Sequence, residues 1–117
     1  MKEKVDCFRK RLVKKNHILQ LVHRLNLCLE LESEKEIVYL HFQKHTIISS
    51  DNKCSTAEQH VRLTGQREQI DYLLDGKIKL REAVQLGYLA IECPFRIMLV
   101  LESIFHLAKS QPDEILV

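Results

Sequence analysis

The chain is short of the residues that break or cross-link a fold. It has three glycines, two prolines and four cysteines in 117 residues. There is no Pro/Gly-rich linker, low-complexity stretch or internal repeat. Residues 1–117 therefore read as one domain, long enough to bury about two thirds of its unfolded surface. No apolar run approaches the roughly 18 residues that span a bilayer, and the opening MKEKVDCFRK lacks the apolar core of a signal peptide. The expectation is an intracellular, cytoplasmic protein. Cys7, Cys28, Cys54 and Cys93 are dispersed, with no Cys-x-x-Cys pair, so buried or half-buried free thiols are expected and a structural zinc is not. On one strand His41 and His45 would lie about 13 Å apart, too far for one ion, whereas an intervening turn would leave the distance open. Gly-x-Ser-x-Gly, P-loop and dinucleotide fingerprints are all missing. Cys93, just before Pro94, is the one thiol near a helix start, where a lowered pKa can arise; the alternative is that it packs. The chain reads as a non-enzyme with no cofactor and no metal.

The net charge of +2 is unevenly placed. Residues 1–24 hold eight Lys/Arg against two acids, and the remainder ten against fourteen. A basic N-terminal helix over 1–23 offers contact with an anionic membrane surface, or else a solvated helix face. Nucleic acid is disfavoured, because the strands offer no aromatic stacking platform.

Val5, Phe8, Leu12, Leu19 and Val22 share a helical face, interrupted near Lys14–His17. From Arg24 the period becomes two: Leu25, Leu27, Leu29 and Leu31 alternate with Asn26, Cys28, Glu30 and Glu32, as in a half-buried strand. EIVYLHFQ is a second strand, HTIISS a third and EQHVRLT a fourth, with Val61 and Leu63 inward. Short turns between them predict an antiparallel meander. Gly65, three residues before Glu68, resembles a weak cap for a helix through Ile70, Leu73 and Leu74 that stops at Gly76. A short helix from Leu80 to Leu86 turns Ala83 and Val84 inward and stops at Gly87. YLAIE is a fifth strand, Pro94 suits the first turn of a final helix, and residues 112–117 form a tail. The fold class is α+β: a five-stranded, mainly antiparallel sheet with helices on one face, in the order α-β-β-β-β-α-α-β-α.

Leu73-Leu74-x-Gly76-Lys77, then Ala83, then Gly87-x-Leu89-x-Ile91, resembles the sterol carrier protein 2-like domain family. With the alternating strands, the resemblance covers roughly residues 20–110. Two places depart from the family pattern. Lys79-Leu80 stands where Ser-Pro often opens the second short helix, and Cys93-Pro94 where Gly-Asp often follows the fifth strand. The resemblance implies a lipid-binding or lipid-transfer domain sheltering a fatty-acyl or sterol-like ligand non-covalently. It assigns the apolar cavity to Phe42, Leu73, Leu74, Val84, Leu89, Met98, Leu101 and Phe105.

The residues support that reading without requiring it. Ile97 to Leu101 are all apolar, followed by Ile104, Phe105, Leu107 and Ala108, so the final helix needs cover on most of its circumference. The cover is a deep core, a ligand or a second subunit. Hence the alternative expectation is an interaction or homodimerisation module that keeps the fold without an open tunnel.

Overall fold

The computed structural model describes residues 2–14, 26–43, 46–52 and 57–108. Along the chain run α1 (Lys2–Val13), β1 (Leu27–Glu32), β2 (Ile37–Gln43), β3 (Thr46–Ser50) and β4 (Gln59–Gly65). There follow α2 (Arg67–Asp75), α3 (Leu80–Gln85), β5 (Leu89–Glu92) and α4 (Phe95–Leu107). The element order and the α+β class are those expected. Leu19, Val22, Leu25, Cys54, His45 and the 112–117 tail lie outside the described residues.

The sheet order is β3-β2-β1-β4-β5. β1 pairs antiparallel with β2, β2 with β3, and β4 with β5, but β4 runs parallel to β1. This corrects the simple meander. The first three strands do meander, and the chain then crosses to the far side of β1, where parallel pairing cannot be made through a tight turn. The pairing leaves the inward face unchanged: Leu29 sits between Leu40 and Val61, and Leu31 between Val38 and Leu63.

Alternation places Leu27, Leu29, Leu31, Val38, Leu40, Phe42, Ile47, Val61, Leu63 and Leu89 on one face, all buried. Against them pack Val5, Phe8 and Leu12 of α1, Ile70, Leu73 and Leu74 of α2, Leu80 and Ala83 of α3, and Leu101, Ile104 and Phe105 of α4, in a single core cluster. The rings of Phe8 and Phe105 lie 5.2 Å apart at a tilt of 35°. Arg11 donates from Nε to the Ala108 carbonyl at 2.8 Å and from Nη2 to the Leu74 carbonyl at 2.6 Å. It thus closes the C-terminal ends of α4 and α2 together, where unpaired carbonyls and the helix dipoles favour a cation.

On the opposite face Glu30 accepts from Arg62 Nε at 2.7 Å, and Ile37 and Ile48 are exposed. Two neighbours there are buried: Cys28 at 2% exposure and His41 at 7%. His41 Nε2 faces Asn26 Oδ1 at 3.1 Å, and Gln43 Nε2 faces His41 Nδ1 at 3.0 Å. With an amide oxygen on one side and an amide donor on the other, the neutral Nε2–H imidazole is satisfied at both nitrogens. Burial, and then the nearby His60, push its pKa below the ordinary value.

Two local expectations change. Gly65 ends β4 rather than capping α2; the cap position is Gln66, whose side chain makes no capping hydrogen bond. A Cβ on Gly65 would collide with the Leu89 side chain and sit 3.0 Å from the Tyr88 carbonyl, so glycine permits the close approach of β5. Pro94 occupies the N-cap of α4, its carbonyl accepting from the Ile97 and Met98 amides.

Candidate ligand site

The site is built around α3, which is held by two helix stops of the same kind. Gly76 (φ 79) donates to the Leu73 carbonyl while Lys77 donates to that of Tyr72. Gly87 (φ 82) donates to the Val84 carbonyl while Tyr88 donates to that of Ala83. Both are Schellman closures, which require left-handed backbone at the glycine. They fix where the chain enters and leaves α3, and they turn Leu86 and Tyr88 outward at its end.

Between α3 and α4 opens a cleft of about 510 Å³. Its buried floor is Leu80, Ala83 and Phe105, and Ile78 lies half-buried against the same core. Leu86 and Tyr88 stand at its margin, 61% and 52% exposed. Gly76, Lys77, Lys79, Glu82, Glu102, Ser103 and His106 complete the lining. Arg81 Nε reaches Glu102 Oε2 at 2.9 Å, tying α3 to α4. A second depression, about 620 Å³, lies at the end of the sheet but is lined by Glu32, Ser33, Glu34, Thr64, Gln66 and Gln69 among others. It is larger and shares Tyr88 with the cleft, but its other lining side chains are charged or polar, so it offers an apolar ligand fewer hydrophobic side chains.

Of the eight cavity residues assigned from the sequence, Phe105 lines this cleft. Phe42, Leu73, Leu74 and Leu101 are wholly buried in the core, Leu89 is 3% exposed, and Val84 and Met98 pack half-buried against the core. The apolar cleft residues missed by the sequence reading are Ile78, Leu80, Ala83, Leu86 and Tyr88. Leu86 and Tyr88 flank Gly87, and an apolar pair astride a helix stop was the one available signal.

Cys93 packs against the core, and burial pushes its thiol up despite a hydrogen bond from the Met98 backbone, so the lowered-pKa alternative fails. Among the described residues no group of three His, Cys, Asp or Glu side chains is placed to hold a metal ion. No helix among them is long and apolar enough to cross a membrane. The basic side chains of α1 are largely engaged. Lys2 pairs with Asp51 and Lys4 with Asp75, both at 2.8 Å, while Arg9 and Lys10 pair with Asp6 at 3.0 and 3.6 Å.

No family profile matches the sequence, and no curated protein does. Solved structures do match. A UbiJ-SCP2 ubiquinone synthesis protein superposes with a TM-score of 0.69 at 13% identity, over 86% of this chain and 88% of that one. Sterol carrier protein 2 from Yarrowia lipolytica, in apo form, gives 0.62 at 17% identity over 91% and 89%. Sterol carrier protein domain 2 of Helicoverpa armigera gives 0.62 at 16% over 92% and 90%. The inverting sec-alkylsulfatase Pisa1 from Pseudomonas sp. matches at 0.61 and 16% identity, over 80% of this chain but 14% of the enzyme.

Proposed function

We propose that this chain, whose fold is that of the sterol carrier protein 2 domain, holds an apolar lipid non-covalently in the cleft between α3 and α4. Its role is that of a cytoplasmic binding or transfer domain without catalytic activity of its own. The observation that carries this is the pair Leu86 and Tyr88, left exposed over a floor of Leu80, Ala83 and Phe105. Leaving a large apolar side chain wet forgoes about 1.5–3 kcal/mol of burial, which a ligand lying across the cleft would recover. A volume of about 510 Å³ falls within the roughly 300–1,000 Å³ of small-molecule sites. Sterol carrier proteins among the structural neighbours support the ligand class. The alkylsulfatase neighbour has the same fold as a small part of a larger enzyme. Membrane docking through α1 receives little support from ion pairs that occupy most of its cations within the chain.

Native mass spectrometry of the purified protein, followed by titration with a fluorescent fatty acid, tests the reading. Saturable binding weakened by Leu86→Glu is expected. No co-purified lipid and no saturable binding would sink it.

A second reading, contact with another protein or a second copy, is favoured by Phe95 and Leu99, exposed at 60% and 39% one turn apart on α4. It predicts a concentration-dependent dimer in sedimentation that Phe95→Glu abolishes.

A further inference from the structure

The sheet ends on an edge that the rest of the fold leaves open. At its other margin α1 packs against β3, and Lys2 pairs with Asp51 just beyond that strand. β5 is bonded to β4 on one side, and its outer edge has no backbone partner among the described residues. Apart from its shortness, β5 carries none of the devices that blunt an edge, such as a lysine, a proline or a bulge. Its one charge is Glu92, which lies opposite Arg62 of β4. Leu89 is buried, Ile91 is half-buried against the core, and Ala90 is exposed.

Exposed apolar side chains flank this strand at both ends. Tyr88 precedes it at 52% exposure, and Phe95 and Leu99 follow it on α4 at 60% and 39%. An antiparallel pair lays the N-terminal end of one strand beside the C-terminal end of the other. A two-fold axis beside β5 therefore brings Tyr88 of each copy toward Phe95 of the other. Residues directly opposite in a ladder point to the same face, so the axis must pass through a residue and not between two. On Ala90 it sets Leu89 opposite Ile91, which extends the buried face, and Tyr88 opposite Glu92, an acceptor for the phenolic hydroxyl. The two copies of Glu92 then lie about 14 Å apart, beyond a Debye length. An axis on Ile91 would bring them to about 8 Å and draw Pro94, which has no N–H, into the ladder. An axis on Leu89 would draw in Gly87, whose left-handed backbone ends the strand.

Resting on the reading that Phe95 and Leu99 make a contact, we infer that their partner is a second copy of this chain, joined β5 to β5 in antiparallel about Ala90. The two five-stranded sheets then become one. The strand backbones fix the register, and the aromatic side chains at the two ends keep water from it. At about 150–250 Å² per aromatic side chain, the exposed parts of Tyr88 and Phe95 amount to about 400 Å² over the two copies. Leu99, Ile91 and the strand edges bring the total toward the roughly 1,000 Å² at which a specific interface begins. The dimer is accordingly weak, with a Kd on the order of 10–100 µM. Leu80, Ala83 and Phe105, the floor of the cleft, take no part, so dimerisation and lipid binding are separable.

Sedimentation of the whole chain and disulfide trapping test this together. Ala90→Cys places a thiol opposite its own copy, at the roughly 4.5–5.5 Å Cα separation that a disulfide accepts. On mild oxidation it should cross-link at least about ten-fold faster than the native chain, whose own free cysteines set the baseline. Glu92→Cys, about 14 Å from its copy, should stay at that baseline, whereas an equal mixture of Glu92→Cys and Tyr88→Cys should cross-link. Tyr88, Ala90 and Glu92 are exposed, so these variants keep the core. Phe95→Glu should shift the native dimer to monomer and abolish the cross-link of Ala90→Cys. A native dimer that Phe95→Glu dissolves, with Ala90→Cys cross-linking no faster than Glu92→Cys, would overturn the β5 pairing and leave the contact at Phe95 standing. A native chain that sediments as a monomer up to about 500 µM, with no cross-link above baseline, would overturn the second copy as the partner.

Discussion

Arg11 offers the sharpest stability test, because one side chain of α1 closes the ends of two other helices. Its Nε and Nη2 donate to Ala108 and Leu74 carbonyls at 2.8 and 2.6 Å, both at helix C-termini that lack intrahelical partners. Arg11→Met keeps much of the apolar stem and removes both donors. A hydrogen bond from a charged donor contributes about 1.5–3 kcal/mol. The two share one partly exposed residue, and water can replace part of each, so the expected loss is roughly 2–4 kcal/mol rather than their full sum. With a urea slope of about 2 kcal/mol/M, the unfolding midpoint should fall by about 1–2 M. Arg11→Lys, which keeps the charge but not the fork, should fall between. Arg9→Met removes an ion pair with Asp6, whose two side chains are 32% and 46% exposed, and should cost under about 0.5 kcal/mol. If Arg11→Met unfolds within about 0.5 kcal/mol of the native protein, the bridging role is refuted.

Further predictions concern α1, the glycines and pH. Phe8→Ala should cost about 3–5 kcal/mol in urea unfolding, since Phe8 is fully buried against Phe105; a cost below about 1 kcal/mol would mean α1 is not part of the core. Gly87→Ala should cost about 1–2 kcal/mol from left-handed backbone alone, because its Cβ would meet nothing within 4 Å. Gly65→Ala, which collides with Leu89, should cost more; the reverse order by thermal or urea melts would contradict the assigned packing. His41 titrates below its ordinary value of 6.5 when folded, so the unfolded chain binds its proton first as pH falls. Its contribution is therefore full above about pH 6.5 and is lost as pH drops from there through the folded value. His41→Gln should flatten the dependence of the urea midpoint across that window, and an unchanged slope would assign the acid sensitivity elsewhere.

Much of the architecture was legible because period two marks a buried strand face. The alternation in Leu27–Leu31, Val38–Phe42 and Val61–Leu63 located β1, β2 and β4 and their inward residues. Gly76 and Gly87 located two helix ends, since only left-handed backbone closes them in this way. The parallel pairing of β4 with β1 was not legible, because alternation fixes which face is inward and not which strand lies alongside. Val61 and Leu63 would point inward in either arrangement. The burial of His41 on the opposite face was likewise hidden, since it shares that face with Tyr39 and Glu30. Arg11 read as one of several cations on a solvated face, and only the convergence of α2 and α4 gives it a role.

The candidate site was the least legible part for a related reason. The cavity implied by the resemblance included Phe42, Leu73, Leu74 and Leu101, which are the centre of the core, while a cleft also needs apolar residues that the fold leaves uncovered. Leu86 and Tyr88 are such residues, and their exposure follows from the turn at Gly87 rather than from any periodic pattern.

The central claim is that an apolar chain occupies the groove between α3 and α4. Two-dimensional amide and methyl NMR during titration with a C12 fatty acid tests it most directly. The account predicts saturable shifts centred on Leu80, Ala83, Leu86 and Phe105, all of them lining the cleft and none the second depression. Shifts centred on the second depression at Thr64 and Gln66, or no saturable shift, would contradict it.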